Sequence, residues 1–310
     1  MNDTPFVSIV MCTYNGEKYI DEQIRSIIEQ DYKNFELVIV DDASTDSTFQ
    51  KLQAFQKNHS FIRLYKNEGN IGYNKNFEKA LSLAKGELIS LADQDDIWLP
   101  SKTTKLVKAL HDPSVTLAHV MTLSFKDNEF KYNYRKLHKH YDGNDVKKFF
   151  FFNHVMGHDA MFRRNLLPKI LPIPDKLMYD WWIVVNAVVM GKIRSVPEVL
   201  VYHRMHETNS FFNKKADARK KELDLSETLD AFTKIGGMDK ESLRFLNAFN
   251  ALVKEQSQDE VSFNNKMFWF FLKHREKFFG HKRRLLPFFN HVKNSVKYAK
   301  FNFKDRGISF

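Results

Sequence analysis

Short apolar runs alternate with amphipathic segments through the first hundred residues, and this alternation constrains the fold more than any other feature. Parallel strands that are covered on both faces read as continuous apolar runs, whereas helices repeat apolar residues every three or four positions. Four runs fit strands, and they lie at residues 6–12, 36–40, 61–65 and 87–92. Helical periodicity separates them, as in the stripe of Ile20, Ile24 and Ile27. The sequence predicts an α/β fold with a mostly parallel sheet flanked by helices.

Polar residues follow every predicted strand. They lie at residues 13–15, 41–42, 67–76 and 93–96. The carboxyl ends of parallel strands meet at one edge of a sheet, and ligands bind in the crevice outside that edge, so we expect the four segments to form one site. A simpler interpretation is that aspartates such as Asp41, Asp42 and Asp46 cap the helix that follows them.

The segment Asp93-Gln94-Asp95-Asp96 is the most unusual of the four. Its three crowded carboxylates repel one another and favour neither strand nor helix, so we interpret them as ligands for a hard divalent cation. A metal at a strand end indicates phosphate chemistry. Asp96, which precedes Ile97-Trp98-Leu99-Pro100, also fits a structural role at a turn or a helix N-terminus.

Charge and cysteine content narrow the class of protein. The formal charge of +10 and the pI near 9.3 indicate an anionic partner, which is nucleic acid, an anionic membrane surface or a phosphorylated substrate. The single cysteine, Cys12, excludes an intramolecular disulfide and fits a reducing cytoplasm. The N-terminus lacks the pattern of a signal peptide, and no segment reaches about 18 apolar residues without a charge. We therefore expect a soluble or peripheral protein.

Four stretches, taken in order, resemble the motif series of glycosyltransferase family 2. They are residues 7–16 (VSIVMCTYNG), 37–46 (LVIVDDASTD), 70–72 (NIG) and 93–96 (DQDD). Each stretch alone is a weak signal, but the ordered series is specific. Members of that family adopt the Rossmann-like GT-A fold, so the resemblance implies this fold for the chain.

The resemblance implies a nucleotide pocket in the first half of the chain. Asp41 would bind the base, and Asp93 would face the ribose or the donor sugar. Asp95 would hold Mg²⁺ or Mn²⁺, which bridges the two phosphates of a nucleotide-diphosphate sugar and assists the leaving group. Asp96 would hydrogen-bond the donor sugar. The other positions that fall in the nucleotide pocket are Thr13, Tyr14, Asn15, Glu17 and Asn70.

The second half would supply the acceptor chemistry, and the segments that correspond to the acceptor pocket of the family are residues 149–152 and 156–164. Gly157 would allow close approach of the backbone, and His158 would contact the donor or the acceptor. Asp180 matches the general base of the family, and the aromatic residues around it would raise its pKa. Its neighbour Trp181 would contact the donor or the acceptor. The alternatives are a packed core histidine at position 158 and a helix N-cap at position 180.

The segment 199–209 resembles a further part of the family's site. His206 would complete the metal shell or touch the diphosphate, and Arg204 would pair with phosphate oxygens. Asn209 would contact the donor or the acceptor. His203 and Glu207 stand where relatives often have an aromatic residue and a glycine, which leaves the geometry of this loop open.

The sequence changes character from residue 211 onwards. Apolar residues at helical spacing predict a small helical appendage, and beyond residue 263 bulky aromatic residues alternate with lysine and arginine. This pattern fits either an interfacial helix on an anionic membrane or a helical pair that buries its aromatic rings. We predict a catalytic domain over residues 1–210, with a nucleotide-binding half (about 1–100) and an acceptor-binding half (about 101–210), and a helical region over residues 211–310.

The resemblance implies a metal-dependent, inverting sugar transferase that acts on a glycan or lipid-linked acceptor at the inner face of a bacterial membrane. The chain is most similar to the rhamnosyltransferase-type branch, so the expected donor is dTDP-rhamnose or a UDP-hexose, and nucleic acid is not an expected partner. A nucleotidyltransferase is one alternative, although residues 13–17 are not the glycine-rich basic loop that it needs. A non-catalytic basic protein that binds membrane or nucleic acid is another, and it leaves the acidic segment unexplained.

Overall fold

The structure is a computed structural model that describes residues 4–126, 129–130, 141–206, 224–256, 263–280 and 287–300. The chain divides into two compact units. The first comprises Met1–Tyr132, Asp142–Asn144 and Val155–Asn209, and the second comprises Asn133–Tyr141, Asp145–His154 and Ser210–Phe310. Every described residue of the candidate site belongs to the first unit.

Three strand–helix repeats and a fourth strand form the first half of the first unit. In chain order they are β1 (Val7–Thr13), α1 (Ile20–Ile28), β2 (Phe35–Asp41), α2 (Thr48–Asn58), β3 (Ile62–Lys66), α3 (Tyr73–Leu83) and β4 (Leu88–Ala92). The strands pair in parallel in the spatial order β3-β2-β1-β4, so their carboxyl ends share one edge. The predicted repeats and their parallel pairing are confirmed.

The second half of the first unit extends the same sheet. Its elements are β5 (Ile97–Trp98), α4 (Lys102–Ala109), β6 (Val115–Lys126), β7 (Glu129–Phe130), β8 (Ala160–Arg163), α5 (Leu167–Ile170), α6 (Tyr179–Met190) and β9 (Lys192–Arg204). The order continues β4-β8-β6-β9-β5, and β7 pairs with β6. The α/β fold class is confirmed, and the sheet is mixed because β8 runs antiparallel to both of its neighbours.

Burial explains why these strands are central. The side chains of β2 and β4 are buried along both strands, as continuous apolar runs predict. The predicted stripe of α1 (Ile20, Ile24 and Ile27) shares one apolar cluster with Ile9 of β1. Helix α6 is apolar on nearly all of its sides and buried over most of its length, so the carboxylate in its first turn is carried into the interior.

The described part of the second unit is helical, with α7 (Leu225–Thr233), α8 (Lys240–Gln256), α9 (Asn265–Lys273), α10 (Arg275–Phe279) and α11 (Pro287–Ala299). Residues 149–152, which we expected near the acceptor, instead bury all four phenyl rings in this unit. The reason is that the helices of this unit supply aromatic rings that pack against them. The ring centroid of Phe151 lies 5.7 Å from that of Phe249 and 5.2 Å from that of Phe271. Within the described residues, every helix is too short or too polar to cross a bilayer.

Candidate active site

Asp41 ends β2 and is fully buried next to the end of β1. Its carboxylate accepts hydrogen bonds from the hydroxyls of Thr13 (2.9 Å) and Ser44 (2.6 Å) and from the Ser44 N–H (2.9 Å). Asp41 therefore joins the turn after β2 to the end of β1. It is not the N-cap residue of α2, because that residue is Ser47. The capping interpretation holds only for Asp46, whose carboxylate accepts from the first N–H of α2 (2.9 Å).

Asp42 organises the loop after β3 rather than capping a helix. Its carboxylate accepts hydrogen bonds from Asn67 Nδ2 (2.7 Å) and from the N–H groups of Ile71 and Gly72 (both 2.9 Å). Gly72 has a φ of +83°, a backbone conformation that favours glycine. Asn70 is exposed, and its side chain accepts from the Gly72 N–H (3.1 Å). A buried carboxylate thus holds the loop that carries Asn70.

Asn15 and Glu17 connect the loop after β1 to the start of α2. Asn15 has a φ of 47°, and its side-chain oxygen accepts from the Thr45 N–H (2.9 Å). The Glu17 carboxylate accepts from the hydroxyl (2.6 Å) and the N–H (3.0 Å) of Ser47, and these hydrogen bonds lower its pKa. Both predicted residues therefore shape this loop through contacts with the turn that follows β2.

Gln94 is a site residue that sequence reasoning missed. Its side-chain amide accepts a hydrogen bond from the Tyr14 N–H (2.9 Å) and donates one to the Tyr14 carbonyl (3.1 Å). A Cβ at Gly16 would lie 2.5 Å from Gln94 Oε1, so the glycine leaves room for the amide. The amide joins the end of β4 to the loop after β1. The only signal in the sequence is a glutamine placed among carboxylates.

Asp95 and His206, the two predicted metal ligands, lie side by side. Asp95 Oδ2 is 2.7 Å from His206 Nε2, and both side chains are largely buried. The Asp95 carbonyl accepts from Arg204 Nε (3.0 Å), and the Arg204 guanidinium forms an ion pair with Glu22. Burial raises the pKa of Asp95, against the lowering effect of His206. Carboxylate oxygen and imidazole nitrogen together form a donor set that suits a divalent cation such as Mn²⁺.

Asp96 is fully buried between two histidines. Its Oδ1 accepts a hydrogen bond from His203 Nδ1 (2.9 Å), and its Oδ2 lies 3.6 Å from His158 Nδ1. The same His158 nitrogen is hydrogen-bonded to Asp93 Oδ2 (3.1 Å). The two imidazole rings stack with their centroids 4.9 Å apart. Asp96 precedes β5 and not a helix, so the helix N-terminus interpretation is wrong. His203 is therefore a hydrogen-bond partner of this carboxylate.

The cluster of Asp96, His158 and His203 also has the composition of a metal site. One ligand atom from each residue lies within 4.8 Å of the others. Burial favours a neutral His158 ring, but the charges of Asp96, Asp93 and Asp159 raise the pKa of His158 to about 10. A cation would have to displace that proton, because a metal binds only the deprotonated nitrogen. The described part of the chain thus offers two neighbouring donor sets for a cation, Asp95 with His206 and Asp96 with the two histidines.

Asp180 lies in the first turn of α6 and is buried. Its carboxylate accepts hydrogen bonds from the N–H groups of Trp181 (2.7 Å) and Gly157. Burial raises the pKa of Asp180 to about 6 in spite of these donors. Helix α6 begins at Tyr179 with Met178 as its N-cap residue, so Asp180 is not the N-cap. Trp181, which was predicted to face the substrate, is buried beside it.

The sequence analysis did not identify two further ionisable residues that are buried near the site, Lys102 and Asp159. Lys102 Nζ donates to the His158 carbonyl (2.6 Å) and lies 3.1 Å from the centroid of the Trp98 ring. Burial holds the pKa of Lys102 well below its usual value and raises the pKa of Asp159 to about 7. A lysine at the start of a helix reads as a solvated residue, so the sequence offers no signal for Lys102.

The structure therefore brings most of the predicted site together. The carboxyl edge of β1 to β4 carries the nucleotide-pocket residues, and the end of β9 carries Arg204 and His206. His158 connects Asp93 to Asp96, and Gly157 donates to Asp180. Asn209, with Glu207, lies outside the described residues.

Comparison with known proteins defines the class. Residues 8–171 match the family model described as glycosyl transferase family 2, which is more than half of the chain. The chain therefore belongs to glycosyltransferase family 2 and is a glycosyltransferase. Membership removes the support for the two alternatives, the nucleotidyltransferase and the non-catalytic basic protein.

Individual relatives agree with this class. An uncharacterized glycosyltransferase of Haemophilus influenzae is 27% identical over 257 residues, which cover 76% of this chain and 77% of that protein. Staphylococcus aureus TarS, solved in complex with UDP-GlcNAc, has a TM-score of 0.61 at 19% identity and covers 96% of this chain and 82% of its own. The mannosyltransferase PcManGT of Pyrobaculum calidifontis, solved with GDP-Man and Mn²⁺, has a TM-score of 0.59 at 20% identity. The match covers 96% of this chain and 86% of PcManGT. These two likenesses show the GT-A fold.

Proposed function

We propose that this chain transfers a sugar from a nucleotide-diphosphate donor to a hydroxyl group of a glycan or lipid-linked acceptor, with inversion at the anomeric carbon. The observation that carries the proposal is the pairing of Asp95 with His206 at 2.7 Å in a member of this family. Both residues lie at the edge of the sheet where ligands of α/β folds bind. The nucleotide sugars bound to TarS and PcManGT support a donor of this class.

Asp95 and His206 are the proposed ligands of Mn²⁺ or Mg²⁺. The cation, when bound, neutralises charge on the departing diphosphate. The chain prepares this position by hydrogen bonds: Arg204 holds the Asp95 carbonyl, and His203 holds the neighbouring Asp96. Contacts of this kind orient ligands before the metal arrives, which limits the cost of reorganisation on binding.

The nucleotide is assigned to the first hundred residues and the acceptor to the second hundred. Asp41, with Thr13, is proposed to receive the base, and Asp93 the ribose or the donor sugar. The exposed ring of Tyr14 and the exposed side chain of Asn70 are available to a ligand on the same edge. The remaining residues that we assign to donor or acceptor are Asn15, Glu17, Asp96, Gly157, His158, Trp181, Arg204 and Asn209.

Asp180 is proposed as the general base. A pKa of about 6 leaves its carboxylate ionised at neutral pH while keeping it basic enough to take a proton from an acceptor hydroxyl. The oxygen then attacks the anomeric carbon on the face opposite the leaving diphosphate. The proton ends on Asp180, and the electron pair of the broken bond ends on the diphosphate.

The particular donor and the cellular location belong to the same proposal. We retain dTDP-rhamnose as the first candidate donor and a UDP-hexose as the second. The setting is synthesis of a cell-surface polysaccharide at the cytoplasmic face of the membrane, where the basic and aromatic helices of the second unit would contact anionic lipid. Helices α9 and α11 carry exposed aromatic residues and lysines that support this location.

A panel of nucleotide sugars tests the proposal. With Mn²⁺ present, the purified protein should hydrolyse one of them slowly, and Asp95→Asn should remove this activity without lowering the melting temperature. Asp21→Asn, which alters an exposed carboxylate paired with Lys51, is the matched control and should keep full turnover. Unchanged turnover in the Asp95 variant would reject the metal assignment. A failure of every nucleotide sugar to be hydrolysed or to raise the melting temperature would reject the donor class.

A further inference from the structure

Tyr73 places an exposed aromatic ring at the edge of the candidate site. It is the first residue of α3, and 52% of its surface is exposed. Its backbone is nonetheless fixed, because the preceding residue, Gly72, donates its N–H to the buried carboxylate of Asp42 (2.9 Å). The Gly72 carbonyl in turn accepts the N–H of Asn76 (2.9 Å) in the first turn of the helix. The ring therefore projects from a rigid support.

The start of α3 is tied to the segment that leads into α6. Asn74 donates its side-chain amide to the Leu177 carbonyl, and Lys75 forms an ion pair with Asp175 (3.1 Å). Three residues after Leu177 comes Asp180, the proposed base. Tyr73 is thus held at a set position relative to that carboxylate.

Three aromatic rings run from the core to the surface beside the proposed base. Phe77 and Tyr179 are buried and stacked, with their centroids 4.0 Å apart, and Tyr73 meets Tyr179 edge-on at 6.3 Å. A Cβ at Gly157 would lie 2.5 Å from the Tyr179 hydroxyl, so the middle ring is fixed on that side as well. Partial burial and the negative charge of Asp180 raise the pKa of Tyr73.

We propose that Tyr73 is the platform on which a pyranose ring of the acceptor stacks, so that the acceptor ends in a sugar and not in a polyol phosphate or a lipid hydroxyl. This inference rests on the proposed function and specifies its acceptor. The face of an aromatic ring carries negative potential, which attracts the polarised C–H groups on one face of a pyranose. A tyrosine that is already ordered loses little conformational entropy on contact, and stacking there holds a sugar hydroxyl near Asp180.

Saturation-transfer NMR with methyl glycosides tests the platform without any donor. The probes are the methyl pyranosides of glucose, galactose, N-acetylglucosamine and rhamnose, with glycerol phosphate as the polyol comparison. The wild type and Tyr73→Phe should give transfer to at least one pyranoside, and Tyr73→Ala should reduce that transfer about fivefold or more. Phe263→Ala, which removes an exposed aromatic ring of the second unit, is the matched control and should give the wild-type signal.

Steady-state kinetics adds the readout that a structural role would not give. With the pyranoside that binds, Tyr73→Ala should raise the acceptor KM about tenfold and change the donor KM less than about twofold, and Tyr73→Phe should restore the acceptor KM. Three results would each overturn the platform: no pyranoside signal in the wild type, equal signals in wild type and Tyr73→Ala, or transfer to glycerol phosphate alone. Failure of the transferase assignment is distinct, because it would abolish donor turnover and leave the NMR signals intact.

Discussion

The carboxylates at the edge of the sheet differ in their surroundings, and this difference separates structural from chemical roles. Asp41 and Asp42 accept hydrogen bonds from hydroxyl, amide and backbone donors and so hold loops in place, and Asp41 is in addition the proposed contact to the base. Asp96 is neutralised by two histidines, which lower its pKa although burial alone would raise it. Burial raises the pKa values of Asp95 and Asp180. Burial also raises the pKa of Asp159, to about 7, so a raised pKa alone does not select a role. We assign Asp95 to metal binding because it pairs with His206, and Asp180 to proton transfer because it matches the general base of the family.

The pH dependence of turnover tests the role of Asp180. A base must be ionised, so kcat/KM should fall as the pH drops below about 6, the pKa that burial gives this carboxyl group. Asp180→Asn should lower kcat about 10²- to 10⁴-fold at a pH well above that pKa. The residual kcat/KM of this variant should no longer fall below about pH 6, so the acidic limb of the pH profile should disappear. Asp142→Asn, which changes an exposed carboxylate, should keep both the rate and the limb; an acidic limb that persists in the Asp180 variant would contradict the assignment.

At the scale of elements, side chains that join strand ends build the site. Gln94 connects β4 to the loop after β1, Asp42 connects β2 to the loop after β3, and Asn74 connects α3 to the segment before α6. Each contact joins parts of the chain that are distant in sequence. The polar groups after the strands are thus held in one arrangement before any ligand binds, which limits the reorganisation that binding requires.

The strand–helix repeats could be predicted from the sequence because hydrophobic periodicity is a local property. The polar segments could be placed at one edge because strand polarity follows from those repeats. The contacts of Gln94 with Tyr14 and of Arg204 with Glu22 could not be predicted, since these partners are 80 and 182 positions apart in the sequence and meet only in the folded chain. The burial of residues 149–152 in the second unit depends likewise on rings supplied by α8 and α9.

A double-mutant cycle tests the contact between Gly16 and Gln94. Gln94→Ala should weaken donor binding by up to about thirtyfold, because the two hydrogen bonds that hold the Tyr14 loop in its binding position are lost, at about 1 kcal/mol each. Gly16→Ala should cause a similar loss, because the added methyl group displaces the same amide. The double variant should be no weaker than either single variant.

A matched glycine provides the control for this cycle. A Cβ at Gly69 would meet no atom within 4 Å, so Gly69→Ala should leave donor affinity unchanged. Affinities are measured by the rise in melting temperature with nucleotide concentration. Additive losses in the double variant would show that Gly16 and Gln94 act separately and would contradict the proposed contact.

At the scale of the whole molecule, the second unit divides its aromatic residues into two groups. Phe271 and Phe278 are buried in the core of the unit, whereas Trp269, Phe288 and Phe289 are 63%, 58% and 69% exposed. The buried rings fit the interpretation as a helical pair that packs its aromatic residues, and the exposed rings fit the interpretation as an interfacial helix. Each of the two helices concerned also has an exposed stripe in which an aromatic residue is followed by lysines: Trp269 and Lys273 on α9, and Phe289, Lys293 and Lys297 on α11.

Vesicle sedimentation tests the proposed membrane contact. The protein should bind phosphatidylcholine vesicles that contain phosphatidylglycerol, and salt should weaken this binding, because each lysine near an anionic surface contributes about 1 kcal/mol. Replacing Trp269, Phe288 and Phe289 together with serine should lower the association about tenfold or more. Lys57→Gln on α2 is the control and should bind as the wild type does. Equal binding to anionic and neutral vesicles would contradict a surface that recognises charge.

Metal coordination by Asp95 and His206 is the central claim, and crystals grown with Mn²⁺ and UDP, dTDP or GDP test it most directly. An anomalous difference map should show a manganese peak within about 2.2 Å of an Asp95 carboxylate oxygen and of His206 Nε2, with the diphosphate of the nucleotide on its open side. A peak among Asp96, His158 and His203, or no peak beside Asp95 with any of the three nucleotides, would contradict it.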